Sequence, residues 1–268
     1  MQLAGGWMKG AVLIAISLLL GMFCTYFIPI YAPSQPIDAA KLATMDIMQL
    51  FELFADMLIP EQITGKFIAR IFISTALFFL VIPPFRQGLK QYFCKVFGGE
   101  KPKLSVAFSW YTNLAKVFGA ICLYIYIGIL TVLWAVAILA IPGAAIILSG
   151  ITGMWWLYVA GTVAYGIGFL LLAIKLMAYM PAYYIYAKKP SIGVLAAVRN
   201  SVYITSGRLT ECFIFRLSFI LWNIAVMFSG NIGKIFFQPY YITANAGFVE
   251  MLIFDARQSE SSEDSVKF

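Results

Sequence analysis

Continuous apolar runs occupy residues 11–31, 67–85, 117–141, 153–187, 211–229 and 235–254, and polar residues collect between them. Each run is close to or above the ~20 residues with which an α-helix spans a hydrocarbon core. Hydrocarbon offers no partner to backbone N–H and C=O groups, so a spanning segment must pair them internally, as a helix or in a closed barrel. Barrel strands alternate apolar and polar residues over ~10 positions, whereas these runs are unbroken. The pattern predicts an all-α fold: a polytopic membrane helical bundle of six transmembrane helices in a single domain over 1–254, followed by a disordered polar tail at 255–268.

Two weaker patterns lie between the runs. Asp38, Lys41, Gln49, Glu52 and Asp56 interleave with Leu42, Met45, Met48, Phe51 and Phe54 at a period near 3.6 until Pro60 ends it. This predicts an amphipathic interfacial helix on the outer surface. After the fourth run, Ile192, Leu195, Val198 and Val202 share a helical face, with Ser191 placed to cap and Gly207 to stop it. That is a basic amphipathic helix lying along the inner surface. The fourth run is longer than a bilayer needs and contains Lys175 and Pro181, which predicts a kink at Pro181. The tyrosines beyond it, Tyr179, Tyr183, Tyr184 and Tyr186, then form an interfacial belt. Ala160, Ala164 and Gly168 recur every four residues and suit close helix approach, within the protomer or across a homodimer.

Charge orients the bundle. Arg86, Lys90, Lys95, Lys101 and Lys103 face only Glu100, and Lys188, Lys189, Arg199 and Arg208 have no acid among them. By the positive-inside rule both segments are cytoplasmic. The acidic stretch with Asp38, Asp46, Glu52, Asp56 and Glu61 and the uncharged 142–152 connection are then outside. Six spans make every loop alternate and place both termini in the cytoplasm. The first run exceeds the 7–15 residues of a signal-peptide core and offers no small-x-small cleavage site, so it reads as a retained span.

With 62% hydrophobic and 12% charged residues, against ~25% charged in soluble domains, the chain cannot cover a globule with polar surface. It contains no histidine, which removes the commonest general base and metal ligand. Cys24, Cys94, Cys122 and Cys212 form no C-x-x-C pair and read as packing residues. There is no phosphate-loop, nucleophile-elbow or zincin motif, so no catalytic residue, metal or cofactor is expected. The net charge of +7 sits beside the membrane, where anionic lipid attracts each Lys or Arg by roughly 1 kcal/mol. Lipid headgroups, not nucleic acid, are the expected partner of Arg86, Lys90, Lys95, Lys188, Lys189 and Arg199.

Ionisable groups at membrane depth cost a few kcal/mol or more unless paired or wetted. On the six-span topology Lys175, Arg216 and Glu250 reach similar depths, with Glu211 and Asn245 on the same spans, so they form a candidate inner-leaflet polar cluster. It reads as helix glue, with a substrate, proton or ion site as the alternative.

The C-terminal third carries Ser201 and Gly207, then Leu217, Ser218, Phe219, Ile220 and Trp222, then Gly230 and Gly233, Pro239 and Tyr240, and Phe248. Upstream stand Pro84 with Gly88 and Pro142 with Gly143, a P-x-x-x-G and an I-P-G that the resemblance below implies are turns. In these motifs the chain resembles the bacterial integral-membrane family catalogued as domain of unknown function 975. It departs from the pattern where Lys188 and Lys189 precede Pro190, since the family places an acid ahead of an Asn-Pro there. The resemblance implies a multi-pass architecture in the bacterial cytoplasmic membrane and supplies no activity. The expected function is a non-enzymatic scaffold or accessory handling lipid or amphiphilic peptide, with a membrane-protein partner or homodimer possible. The alternative is a small transporter or channel with a polar path near the inner leaflet.

Overall fold

The computed structural model describes residues 3–26, 46, 48–49, 65–229 and 232–266. Among them the secondary structure is helical throughout, with no strand. The helices are α1 (Leu3–Tyr26), α2 (Gly65–Phe97), α3 (Ser105–Phe108), α4 (Leu114–Thr152), α5 (Trp155–Leu176), α6 (Met180–Lys188), α7 (Val194–Thr205), α8 (Leu209–Leu217), α9 (Ile220–Phe228) and α10 (Lys234–Val266). The outer helix expected over 38–60 lies outside the described residues, save Asp46, Met48 and Gln49.

The chain groups into two compact units, Leu18–Ile82 and a larger one made of Met1–Ser17 with Pro83–Phe268. In the smaller unit the first half of α2 exposes Phe72 and Ile73, while the buried Ser74 hydroxyl donates to the Ile71 carbonyl at 2.9 Å. The larger unit holds every residue of the candidate sites described below.

Five helical segments among the described residues are long and apolar enough to cross a membrane: Gly6–Phe23, Ile71–Phe97, Leu114–Thr152, Trp155–Lys188 and Leu209–Phe228. The run at 235–254 is helical too, as part of α10, but it is not among them. Gln238, Asn245 and Glu250 dilute its apolarity, and Ile242, Asn245, Ala246, Val249 and Leu252 are buried on one side. Protein therefore covers a face that lipid would otherwise have to cover.

Expected turns at Pro84 and Pro142 are absent, because both prolines lie inside helices, Pro142 within the 39 residues of α4. A carbonyl freed by proline gains nothing from water in an apolar setting, so the helix continues on either side. The segment carrying Arg86, Lys90 and Lys95 is likewise helix α2 and not a loop. Asn113 starts α4 by accepting from the Ala115 N–H at 2.9 Å, and α4 ends at Gly153, whose φ of 69° closes its N–H on the Ser149 carbonyl. The helix is roughly 58 Å long at 1.5 Å per residue. α5 returns beside it, with Gly161 packed on Ile146 and Gly168 on Ile138 and Leu139. Of the small residues spaced by four, only Gly168 is in this contact, since Ala160 and Ala164 are exposed. Gly161 and Gly168, seven apart, are the residues that let the helices approach.

The helix is interrupted just ahead of Pro181, the expected site of a kink. The α5 helix tightens into a 3₁₀ turn at Met177–Tyr179, and Pro181 opens α6. Tyr179, Tyr184 and Tyr186 are buried instead of forming an interfacial belt. Phe85, Tyr92 and Phe93 of α2, Trp110, and Leu123 of α4 are buried as well, each under 5% exposed. Trp110 donates from Nε1 to Gln91 at 2.9 Å and meets the Tyr186 ring at 5.6 Å between centroids.

Helix α7 begins at Gly193, with φ 80°, not at a Ser191 cap, and ends before Gly207, with φ 76°. Its buried face is Ala197, Val198, Ser201, Ile204 and Thr205, while the expected apolar positions Leu195 and Val202 are exposed. The Ser201 hydroxyl donates to the Ala178 carbonyl at 2.5 Å. The helix is therefore held to protein by its small and polar side and presents apolar residues outward.

Candidate functional site

The five residues expected to gather in the inner leaflet are divided among separate places. The Lys175 ammonium sits over the Trp134 ring at 4.6 Å, a cation–π contact worth about 0.5–2 kcal/mol. Trp134 is itself fixed by donating from Nε1 to the Tyr179 hydroxyl at 2.8 Å. Glu250 pairs with Lys188, not with Lys175 or Arg216. Glu211 pairs with Arg208 at 2.7 Å, and the same guanidinium reaches Asp255 at 2.8 Å. These two carboxylates hold Arg208 firmly in its charged form, raising its pKa, first through the hydrogen bonds it donates to Glu211. Asn245 donates to the Tyr241 carbonyl of its own helix at 2.6 Å, leaving its buried Oδ1 unpartnered.

The ion pairs are staples. Lys188 ends α6 and Glu250 lies on α10; Arg208 precedes α8 and Asp255 lies on α10. Asp255, the first residue of the stretch expected to be a free tail, is thereby tied to the bundle.

Of the six cations assigned to lipid headgroups, Arg86, Lys189 and Arg199 are exposed. Lys188 is committed to Glu250, and Lys95 to Glu100 at 3.2 Å. Lys90 points inward. Its ammonium donates to the Tyr124 hydroxyl at 3.2 Å and lies 4.1 Å from the Tyr183 ring centroid, with Tyr184 at 5.9 Å. Tyr124 and Tyr183 pack at 4.9 Å, so α2, α4 and α6 together box this cation. The Arg86 charge acts on the Tyr124 hydroxyl, and Arg86 and Arg216 are both close enough for their charges to act on Lys90. The tyrosines were visible in the sequence, but only the turn at Met177–Tyr179 aims them at Lys90.

A second feature had no sequence signal. Trp7, Trp222, Ala225, Val226, Ser229, Gly233, Phe236, Phe237 and Tyr240 line an open cavity of about 500 Å³. Its walls come from α1, α9 and α10, which are distant in sequence, and Ser229 is the one hydroxylic side chain of the aliphatic and aromatic wall apart from Tyr240. Trp222 stacks on Phe237 at 5.9 Å and holds that wall in place. Leu221, Phe228, Ile232 and Phe236 around it are 62–82% exposed, so hydrocarbon is the surrounding medium.

The motif residues of the C-terminal third build this region. Ser201 anchors α7 to the kinked turn and Gly207 ends it. Phe219 lies at the junction of α8 and α9, Gly233 packs on Ser229 and Val226, and Phe248 stacks on Phe215 at 4.2 Å. The pattern thus encodes the contact of α8 and α9 with α10. No curated protein and no solved structure matches the chain. Residues 34–253, most of its length, match the family described as protein of unknown function (DUF975), and the chain belongs to that family.

Proposed function

We propose that this membrane protein is a non-enzymatic scaffold or accessory of the bacterial cytoplasmic membrane that handles lipid, taking an acyl chain into the groove beside α9. The groove carries the reading. Its volume, about 500 Å³, lies within the ~300–1,000 Å³ of ligand sites, yet among the described residues no charged side chain lines it to recognise a soluble, polar molecule. Lipid is the apolar ligand present at every face that opens into a bilayer. The exposed Lys189 and Arg199 add headgroup attraction at the cytoplasmic surface. A transport path through Lys175, Arg216 and Glu250 lacks support, since Lys175 and Glu250 are engaged with Trp134 and Lys188.

Ala225→Trp fills the groove. Native mass spectrometry of detergent-extracted protein should then show fewer bound diacyl lipids than the wild type, while Leu221→Trp, at a position 74% exposed, leaves occupancy unchanged. Equal occupancy in both variants would sink the acyl-chain reading.

The proposed orientation, with both termini cytoplasmic, counts the helix at 235–254 as a sixth crossing; its test needs a different probe from the native thiols, because Cys94 is buried. Lys101→Cys places a thiol on the exposed connection between α2 and α3. A membrane-impermeant maleimide should label it only after cells are permeabilised. Labelling of intact cells would invert the topology.

A further inference from the structure

The carboxylates of the larger unit whose side chains are described are Glu100, Glu211, Glu250 and Asp255, and each is already bound to Lys95, Arg208 or Lys188. Arg86 and Arg216 lie near enough for their charges to act on Lys90, and none of the three forms an ion pair with a carboxylate among the described residues. Like charges that act on one another repel, and the more so around Lys90, whose ammonium is turned from water into the tyrosines. Their donors are also underused. The Lys90 ammonium makes one hydrogen bond, to Tyr124, and the buried Arg216 Nε–H has no acceptor. One turn before Lys90 on the same side of α2, Gln87 is fully buried with neither its amide nitrogen nor its amide oxygen partnered. Native proteins rarely leave buried polar groups unpaired, and those they do leave often meet a bound ion or water.

We propose that Arg86, Lys90 and Arg216, with the hydroxyls of Tyr124, Tyr183 and Tyr184, form a binding site for a phosphate-type anion, either a phospholipid headgroup or inorganic phosphate. A tetrahedral oxyanion offers several acceptors at once to guanidinium, ammonium and phenol donors, and charge-assisted bonds of this kind are the strong ones. It cancels the repulsion among the three cations and gives Arg216 its missing acceptor. A monocarboxylate would leave more of that charge uncompensated. The site stands independently of the acyl-chain groove, because it shares no residue with it.

The test is thermal unfolding of the full-length protein in a maltoside detergent. One arm titrates inorganic phosphate against chloride at equal ionic strength; the other compares phosphatidylglycerol with a neutral glycolipid. A saturable rise in melting temperature is expected in at least one arm, as ligand binding to the folded state requires. A rise with phosphate identifies a free anion, and a rise with phosphatidylglycerol alone identifies a headgroup. Arg216→Gln and Lys90→Met should each raise the half-saturating concentration about tenfold, the effect of losing one hydrogen bond to a charged group. Lys175→Met, which removes a cation held elsewhere over Trp134, should not. If Arg216→Gln fails to fold, the exposed Arg86→Gln takes its place. Absence of a rise with both probes, or a half-saturation unchanged in the site variants, would overturn the proposal, whatever the outcome for Ala225→Trp.

Discussion

Gly88→Ala should destabilise the protein more than any other single-methyl addition in α2. A Cβ at Gly88 would fall on the backbone carbonyl of Ala107, and the nearest atoms are all main chain. A flexible side chain could swing aside, but here α2 and α3 must separate. Ala107 and Trp110 on the far side are fully buried, so separation also opens the core around the Trp110–Gln91 hydrogen bond. Overpacking of this kind costs about 1–3 kcal/mol and sometimes more. Gly128→Ala is the matched control, because nothing lies within 4 Å of a Cβ there. Melting of the detergent-solubilised variants, followed by near-ultraviolet circular dichroism, should show a clear fall for Gly88→Ala and little change for Gly128→Ala. Equal melting temperatures would mean that α3 can leave α2 without consequence.

The second large effect is expected from Phe219→Ala. Phe219 is 6% exposed and contacts four rings: Phe215 at 5.2 Å, Tyr241 at 5.1 Å, Tyr240 at 6.0 Å and Phe237 at 6.1 Å. It sits where α8 passes into α9, so its ring is the wedge that joins both helices to α10. Phe→Ala in water-soluble cores costs about 3–5 kcal/mol. Here the figure should be nearer about 2–4 kcal/mol, because a bilayer removes the transfer part of the driving force between helices and leaves packing and the cavity. Phe228→Ala, at a position 82% exposed, should alter stability by only a few tenths of that. Since Phe237 and Tyr240 also line the groove, loss of the Phe219 wedge should lower lipid occupancy as well. A Phe219→Ala variant that melts with the wild type would place the interlock of α8 and α9 with α10 elsewhere.

Much of the fold was legible because the bilayer imposes a one-dimensional constraint. A continuous apolar run of helix length has few alternatives once every backbone group must be paired internally, and the helices fall where the runs are. Turns were less legible. Proline and glycine signal loops in water, but Pro142 and Gly143 lie inside α4, whereas Gly153, with its left-handed φ, makes the reversal. Five described segments, not six, carry the apolarity of a span. The run at 235–254 is helical as expected, but Gln238, Asn245 and Glu250 keep it below that apolarity.

The candidate sites were less legible still, for a related reason. Depth along the membrane can be counted from sequence, but azimuth around each helix cannot. Lys175, Arg216 and Glu250 share a depth, yet Lys175 turns to Trp134 and Glu250 to Lys188. Lys90, read as one of several cations beside the surface, is turned into a box of tyrosines supplied by α4 and α6. By itself the sequence determined the class: a helical membrane protein without histidine chemistry, its cations concentrated in two segments. Only the tertiary structure decided which cations have carboxylate partners and which do not, and which aromatic residues wall a groove. Both depend on how the 3₁₀ turn at Met177–Tyr179 and the junction at Phe219 rotate one helix against another, an angle that hydrophobic periodicity does not encode.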